Sequence, residues 1–365
     1  MKTPAALNEA IAQFLRHRAS ALTLARQASR EAPEAAAAHL FEACLLLCSR
    51  DRRDFDAAAQ PLARALALEK TAREKRHEAA VIAAAGGDYA RACGIFDAAL
   101  ADDPRDLVAL GVAHVFDYFL GNPASIRGRS ARALARWDAG EPGYHAVLSM
   151  HAFALQECGE YAAAEDTARR AAALEPRDLR AWHAVTHVLE MQGRADEGLR
   201  WLDQGERAWD GEGGASTHLW WHRALLHLQQ GDVAAALALH DERIGGENLS
   251  TMIDASALLW RLKVMGVEVG DRFIRLASLW EPHAEDAHCA FNDTHAMMAF
   301  AGARRWDLAA RLLRALDRRL SSPDRGANYD MTRLVGVPAC RAPSKPWRGR
   351  RRRRGAGDAG PHRCW

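Results

Sequence analysis

Turn signals recur along this chain at nearly constant spacing, and that recurrence limits what it can fold into. They stand at Arg53-Asp54-Phe55, Gly87, Gly121, Gly159, Gly193, Gly231, Gly266 and Arg304-Arg305-Trp306, separated by 34, 34, 38, 34, 38, 35 and 38 residues. A period near 34 with apolar positions at helical spacing on both sides of each turn is the mark of stacked helix pairs. The unit at Gly87 shows the pattern most fully, with Tyr89, Ala92, Phe96, Ala99 and Pro104 following the turn. The unit at Gly159 repeats it with Tyr161, Ala164, Ala171 and Pro176. Two antiparallel helices need a small residue where they cross closely. Ala58, Ala92, Ala164, Gly198, Ala236 and Ala309 occupy that place, while Ile126 and Asp271 break the pattern in the two divergent units.

The fold class expected is therefore all-α, a tetratricopeptide-like solenoid of α-α hairpins coiling into a right-handed superhelix or compact ring. The repeat domain spans residues 1–342, with about eight hairpins after N-terminal capping helices in 1–34. No strand pattern competes, since LKVMGVEVG (262–270) falls on a turn. The glycines and charges of Gly205–Ser216 read as a loop. Residues 343–365 have no apolar period and read as a disordered basic tail, or as translation in a shifted frame.

Charge excludes some functions. From Arg341 onward the chain carries nine Lys/Arg against one Asp, so the overall +2 conceals a mildly acidic body. That argues against a nucleic-acid-binding surface on the repeats. No apolar run is long enough to span a bilayer and no signal-peptide core opens the chain, which points to the cytoplasm. The seven cysteines form neither a disulfide framework nor a CxxC pair.

The first helix of each pair should line the concave wall, so counting back from each turn identifies the residues there. Ten before the turn stand His77, Ser149, His183, Trp221, Ser256 and Thr294; other inward places hold Phe153, Arg180, His187, Glu190, His218 and Phe291. The lining is richest in polar and aromatic groups around the turns at Gly193 and Gly231. His183, His187, Glu190, His218, Trp221 and His222 are the candidate ligand-binding residues. His183, His187 and Glu190 follow one another at i, i+4 and i+7 on one helical face. Two imidazoles so placed can share a metal and a carboxylate can complete the set. The HExxH arrangement is absent, however, and polar contact with a ligand or plain packing explains the same residues. No metal ligand, catalytic residue or cofactor is assigned. The expected function is binding of a peptide segment or small ligand in the concave groove. A histidine-based or metal-dependent enzyme and a purely structural scaffold are the alternatives.

The runs HAVTHVLEMQGR (183–194), HLWWHRALLHLQQGD (218–232), ALALHDERI (236–244) and GYHAVLSMHAFALQECGEYAAAEDTARRAAALEPRDLRAW (143–182) resemble the tetratricopeptide repeat protein 38 family. The resemblance covers about residues 1–342. It implies an all-helical repeat protein without an assigned reaction, and shared histidines at His183, His187, His218, His222 and His227. Leu219 stands where that family usually has Asn, and the chain leaves the family pattern after Arg341.

Overall fold

The computed structural model describes residues 5–343 except 212, 324 and 327. The expected basic tail, from 344 onward, and the first four residues of the N-terminal capping segment lie outside the described residues. Among the described residues there are helices and no strand, arranged as nine consecutive hairpins. The first pairs Ala5–Leu15 with Ser20–Glu31; the second pairs Ala36–Leu47 with Arg52–Ala57 and Ala59–Leu66. The third to fifth are Ala72–Ala85 with Tyr89–Asp102, Leu107–Phe119 with Pro123–Leu134, and Tyr144–Glu157 with Tyr161–Leu174. The sixth and seventh are Leu179–Met191 with Ala195–Trp209, and Gly214–Gln229 with Val233–Leu239, the latter running into a π-turn at His240–Ile244. The eighth and ninth are Leu249–Val264 with Arg272–Trp280, and Ala290–Gly302 with Trp306–Ser321. A last helical stretch from Tyr329 to Arg341 lies on the ninth hairpin through Val337 and Cys340. No described helix is long and apolar enough to cross a membrane.

Local chemistry sets the boundaries. Thr71 and Glu74 form a reciprocal capping box on the third hairpin. Asp88, Asp106, Asn122, Asp178, Asp232 and Asn248 each accept a backbone amide at a helix start. These side chains satisfy amides that the first turn of a helix leaves open. In the second hairpin, Pro61 has no amide to donate back to Ala57, and the helix is interrupted at Ala58.

The small residues at the crossings are buried. Ala58, Ala92, Ala164 and Ala236 are fully covered, and a Cβ added to Gly198 would lie 2.7 Å from Leu226 Cδ1. The turn glycines flanking hairpins six and seven, Gly193 and Gly231, have φ of 69° and 81°, where a side chain would be strained.

One segment differs from the sequence expectation. The stretch from Gly205 is not a loop, because the second helix of hairpin six continues to Trp209. Gly205 is helical because the Trp182 indole occupies the space its side chain would take. The Trp182 ring also packs against Trp201 with centroids 4.1 Å apart and the rings tilted by 33°, and Trp209 donates to the Leu202 carbonyl. Packing gained by three tryptophans outweighs a helix penalty for glycine of about 1 kcal/mol. Only residues 210–213 remain as the connection.

The solenoid closes on itself. Arg52 donates to the Asp286 carbonyl at 3.0 Å, and Asn292 donates to the Arg50 carbonyl at 2.7 Å. Phe55 packs on His288, and Arg50 lies over Phe291. These contacts join the second hairpin to the ninth across more than 230 residues. The first hairpin meets the sixth: the Leu179 amide donates to the Arg16 carbonyl, Arg16 pairs with Glu175, and Arg18 donates to the Ala208 carbonyl. The concave wall therefore surrounds an interior rather than facing open solvent.

Candidate functional site

Closure of the ring makes some groups accessible and enclosed at once. Tyr118 is 40% exposed and His17 is exposed. Yet burial raises the Tyr118 phenol and pushes His17 down to about 3, where the charges of Arg180, His218 and Arg50 also act on it. These charges come from hairpins two, six and seven and act on a histidine of the first, so the groups face one interior. Arg50 further acts on His295 of the ninth hairpin.

Within this interior an aromatic run follows the first helices. Tyr118 and His114 meet Phe153 at 5.9 and 5.3 Å, Phe153 stacks on His183 at 6.0 Å, and His183 meets His218 and His222 at 5.0 Å each. His218 stacks on Trp221 at 5.0 Å with the rings 11° apart. Arg261 lies over the Trp221 indole.

All six candidate residues come together at hairpins six and seven. Glu190 Oε2 accepts from His222 Nδ1 at 2.7 Å, and Asp254 Oδ1 lies 2.9 Å from His218 Nδ1. One ring nitrogen from each of His183, His187 and His222 lies within 4.8 Å of the others. His183 Nε2, His187 Nδ1, His222 Nε2 and Trp221 Nε1 are buried without a hydrogen-bond partner. Burial, reinforced by the neighbouring imidazoles, holds His183 and His222 well below the ordinary histidine range, and burial lowers His187 as well. These rings are neutral near pH 7. Burial raises the Glu190 carboxyl, against the fields of His187, Arg261 and His218.

The other inward positions divide. His77 is tied to Asp106 Oδ2 at 2.6 Å and is not free to line the wall. Ser149 and Ser256 are fully covered and bond to the Ala146 and Met252 carbonyls of their own helices. Counting from the turn misplaced these three: His77 also packs on Phe96 and Ser256 accepts from Trp280 Nε1, both on the second helix of the same hairpin. His145 is held by Asp178, His151 by Ser130 and His240 by Asp241. His227 lies at a helix end with its Nδ1 3.9 Å from Asp232.

Sequence reasoning missed Asp254. A signal for it exists in the repeat itself, since neighbouring hairpins stack in register. A basic group on one unit meets an acid about one period away in His145–Asp178, Arg73–Asp106 and Arg127–Glu160, each 33 residues apart. His218–Asp254 has the same form at 36. Arg180 is covered, with only weak contacts to the Leu15 carbonyl and His17 at 3.4 and 3.5 Å. Among the described residues neither Arg180 nor Arg50 has a carboxylate at ion-pair distance, and burial lowers the Arg180 guanidinium.

Nine hairpins with small residues at most crossings and glycine at most turns define an all-α repeat protein of the tetratricopeptide type. No family model matches the chain. Similar solved structures include the C-terminal part of a TPR repeat-containing protein from Cytophaga hutchinsonii, at 10% identity and TM-score 0.38, covering 69% of this chain and 97% of that one. A chain of the APC/C hetero-tetramer Cut9-Hcn1 matches at 14% identity and TM-score 0.42, covering 83% and 58%. Yeast Tom70 matches at 11% identity and TM-score 0.43, covering 92% and 88%. The fold assignment rests on the hairpins of this chain, not on these distant likenesses.

Proposed function

We propose that this protein is a binding module whose enclosed concave wall holds a ligand bearing an anionic group, either a peptide segment or a small molecule. The observation that carries this reading is Arg180, covered and without a carboxylate at ion-pair distance although Asp178 acts on it from farther off, together with the half-buried Arg50 beside Tyr118, near an aromatic run ending at Trp221. A buried charge without a counter-ion is costly, and an acidic ligand would offset that cost. His183, His187, Glu190, His218, Trp221 and His222 are the residues proposed to contact or orient it. Trp221 supplies a rigid apolar anchor with an unused N–H. The same basic lining would suit a free carboxylate or a phosphate.

Native mass spectrometry of the intact protein tests the reading directly. A co-purifying acidic species is expected, lost in the Arg180→Gln and Trp221→Ala variants. Retention of the same species by both folded variants would overturn this placement. We also propose membership of the tetratricopeptide repeat protein 38 family and a cytoplasmic location. The first is supported by the four runs between 143 and 244, and the second by the absence of a membrane-spanning helix among the described residues. A second reading, catalysis at the histidine cluster, is favoured by the unpartnered ring nitrogens.

A further inference from the structure

We infer that His183, His187 and His222 form a binding site for one divalent transition-metal ion, with zinc the first candidate, and that Glu190 positions His222 from behind. This goes beyond ligand binding, and either can fail without the other.

The geometry carries the inference. His183 and His187 come from successive turns of one helix, and His222 from the first helix of the next hairpin. Their ring centroids form a nearly equilateral triangle, with sides of 5.4, 5.0 and 5.1 Å. The rings are inclined at 86°, 53° and 65°, so none of the three pairs is stacked. A zinc–imidazole bond of about 2.0–2.1 Å puts the ring centre about 3.2 Å from the metal, and tetrahedral angles then separate the centres by about 5.2 Å. The observed triangle matches that spacing without moving any helix. The ligating nitrogens, within 4.8 Å of one another, would close to about 3.4 Å on a shared ion by turning the rings.

The hydrogen bonds point the same way. Each of the three rings has a buried nitrogen with no partner, and a buried polar atom left so costs about 1–3 kcal/mol. His77 and His145, by contrast, each have a carboxylate within hydrogen-bond distance. Glu190 Oε2 receives the His222 Nδ1 proton at 2.7 Å. That fixes the tautomer that leaves the His222 Nε2 lone pair bare, an arrangement usual behind metal-bound imidazole. Three imidazoles suit zinc and its neighbours better than magnesium or calcium, which prefer oxygen. Three protein ligands leave a fourth position for water or for a ligand of the interior.

Zinc titration of the full, chelator-stripped protein against a chromophoric competitor tests the site. One ion per chain is expected. His183→Ala, His187→Ala and His222→Ala should each weaken binding by about 100-fold or more, and Glu190→Gln by about 10- to 100-fold with stoichiometry retained. His227→Ala should leave binding unchanged. Circular dichroism checks that each variant folds. The unaltered protein gives a second readout: with cobalt it should show the visible absorption of a tetrahedral ion, and His183→Cys should add a sulfur-to-cobalt charge-transfer band. Binding well below one ion per chain, an octahedral cobalt spectrum, or unchanged affinity in the three folded alanine variants would each overturn the inference. Metal readouts use no organic ligand, and ligand capture repeated with chelator present separates failure of this site from failure of the binding module.

Discussion

In the third hairpin His77 meets Asp106, and in the fifth His145 meets Asp178; in the sixth and seventh, His183, His187 and His222 meet one another. The first two acids are also helix N-caps, accepting backbone amides at Ala109 and Arg180. There, one carboxylate serves a helix end and an imidazole from the preceding unit together. At the cluster, Glu190 answers only one of three rings, and the remaining nitrogens converge unpaired. Histidines on the first helices of one repeat series thus serve stability in one region and leave a binding function open in the other.

The comparison is sharpest in stability. Asp106→Ala should cost about 3–5 kcal/mol in denaturant unfolding, because it strands His77, frees Arg73 and uncaps a helix. A loss below about 1 kcal/mol would place the third hairpin with the cluster. Gly205→Ala should cost about 3 kcal/mol, since its methyl group overlaps the Trp182 indole behind the cluster; an unchanged melting temperature would show that this wall yields.

The ninth hairpin offers a third kind of buried group. Asp293 is buried with an unpartnered oxygen, and burial, with Asp286 adding to it, raises its carboxyl to about 8. A raised folded-state value favours the protonated form. Its stabilising contribution is complete below about pH 4 and is lost as the pH rises towards 8. Asp293→Asn should flatten that slope in urea titrations at several pH values. An unaltered slope would assign it to another group. The smallest effect belongs to His183→Ala in metal-free protein, less than about 1 kcal/mol, because the ring is only partly covered and leaves no acid stranded. A loss as large as that of Asp106→Ala would make the cluster a structural element and erase the contrast.

Much of this arrangement was legible in the residues. The 34-residue period and the small residues at Ala92 and Ala164 dictate helix pairs, since no other fold buries that pattern. The i, i+4, i+7 spacing puts His183, His187 and Glu190 on one face wherever a helix forms. His222, one hairpin on, and Asp254, two hairpins on, join them only through stacking of the units, which local spacing does not record.

The amino-acid order alone determined most of the helices and their turns, because these follow from periods of a few residues. Tertiary structure decided two things. Trp182 claimed the space over Gly205 and turned an apparent loop into helix, because burial of an indole outweighs the preference of one residue. Closure of hairpins one and two onto six and nine turned a groove into an interior, through contacts between residues more than 150 positions apart. Only that closure brings Arg50, Arg180 and the histidines to face one space, because the curvature of a solenoid accumulates from small rotations that no single repeat records.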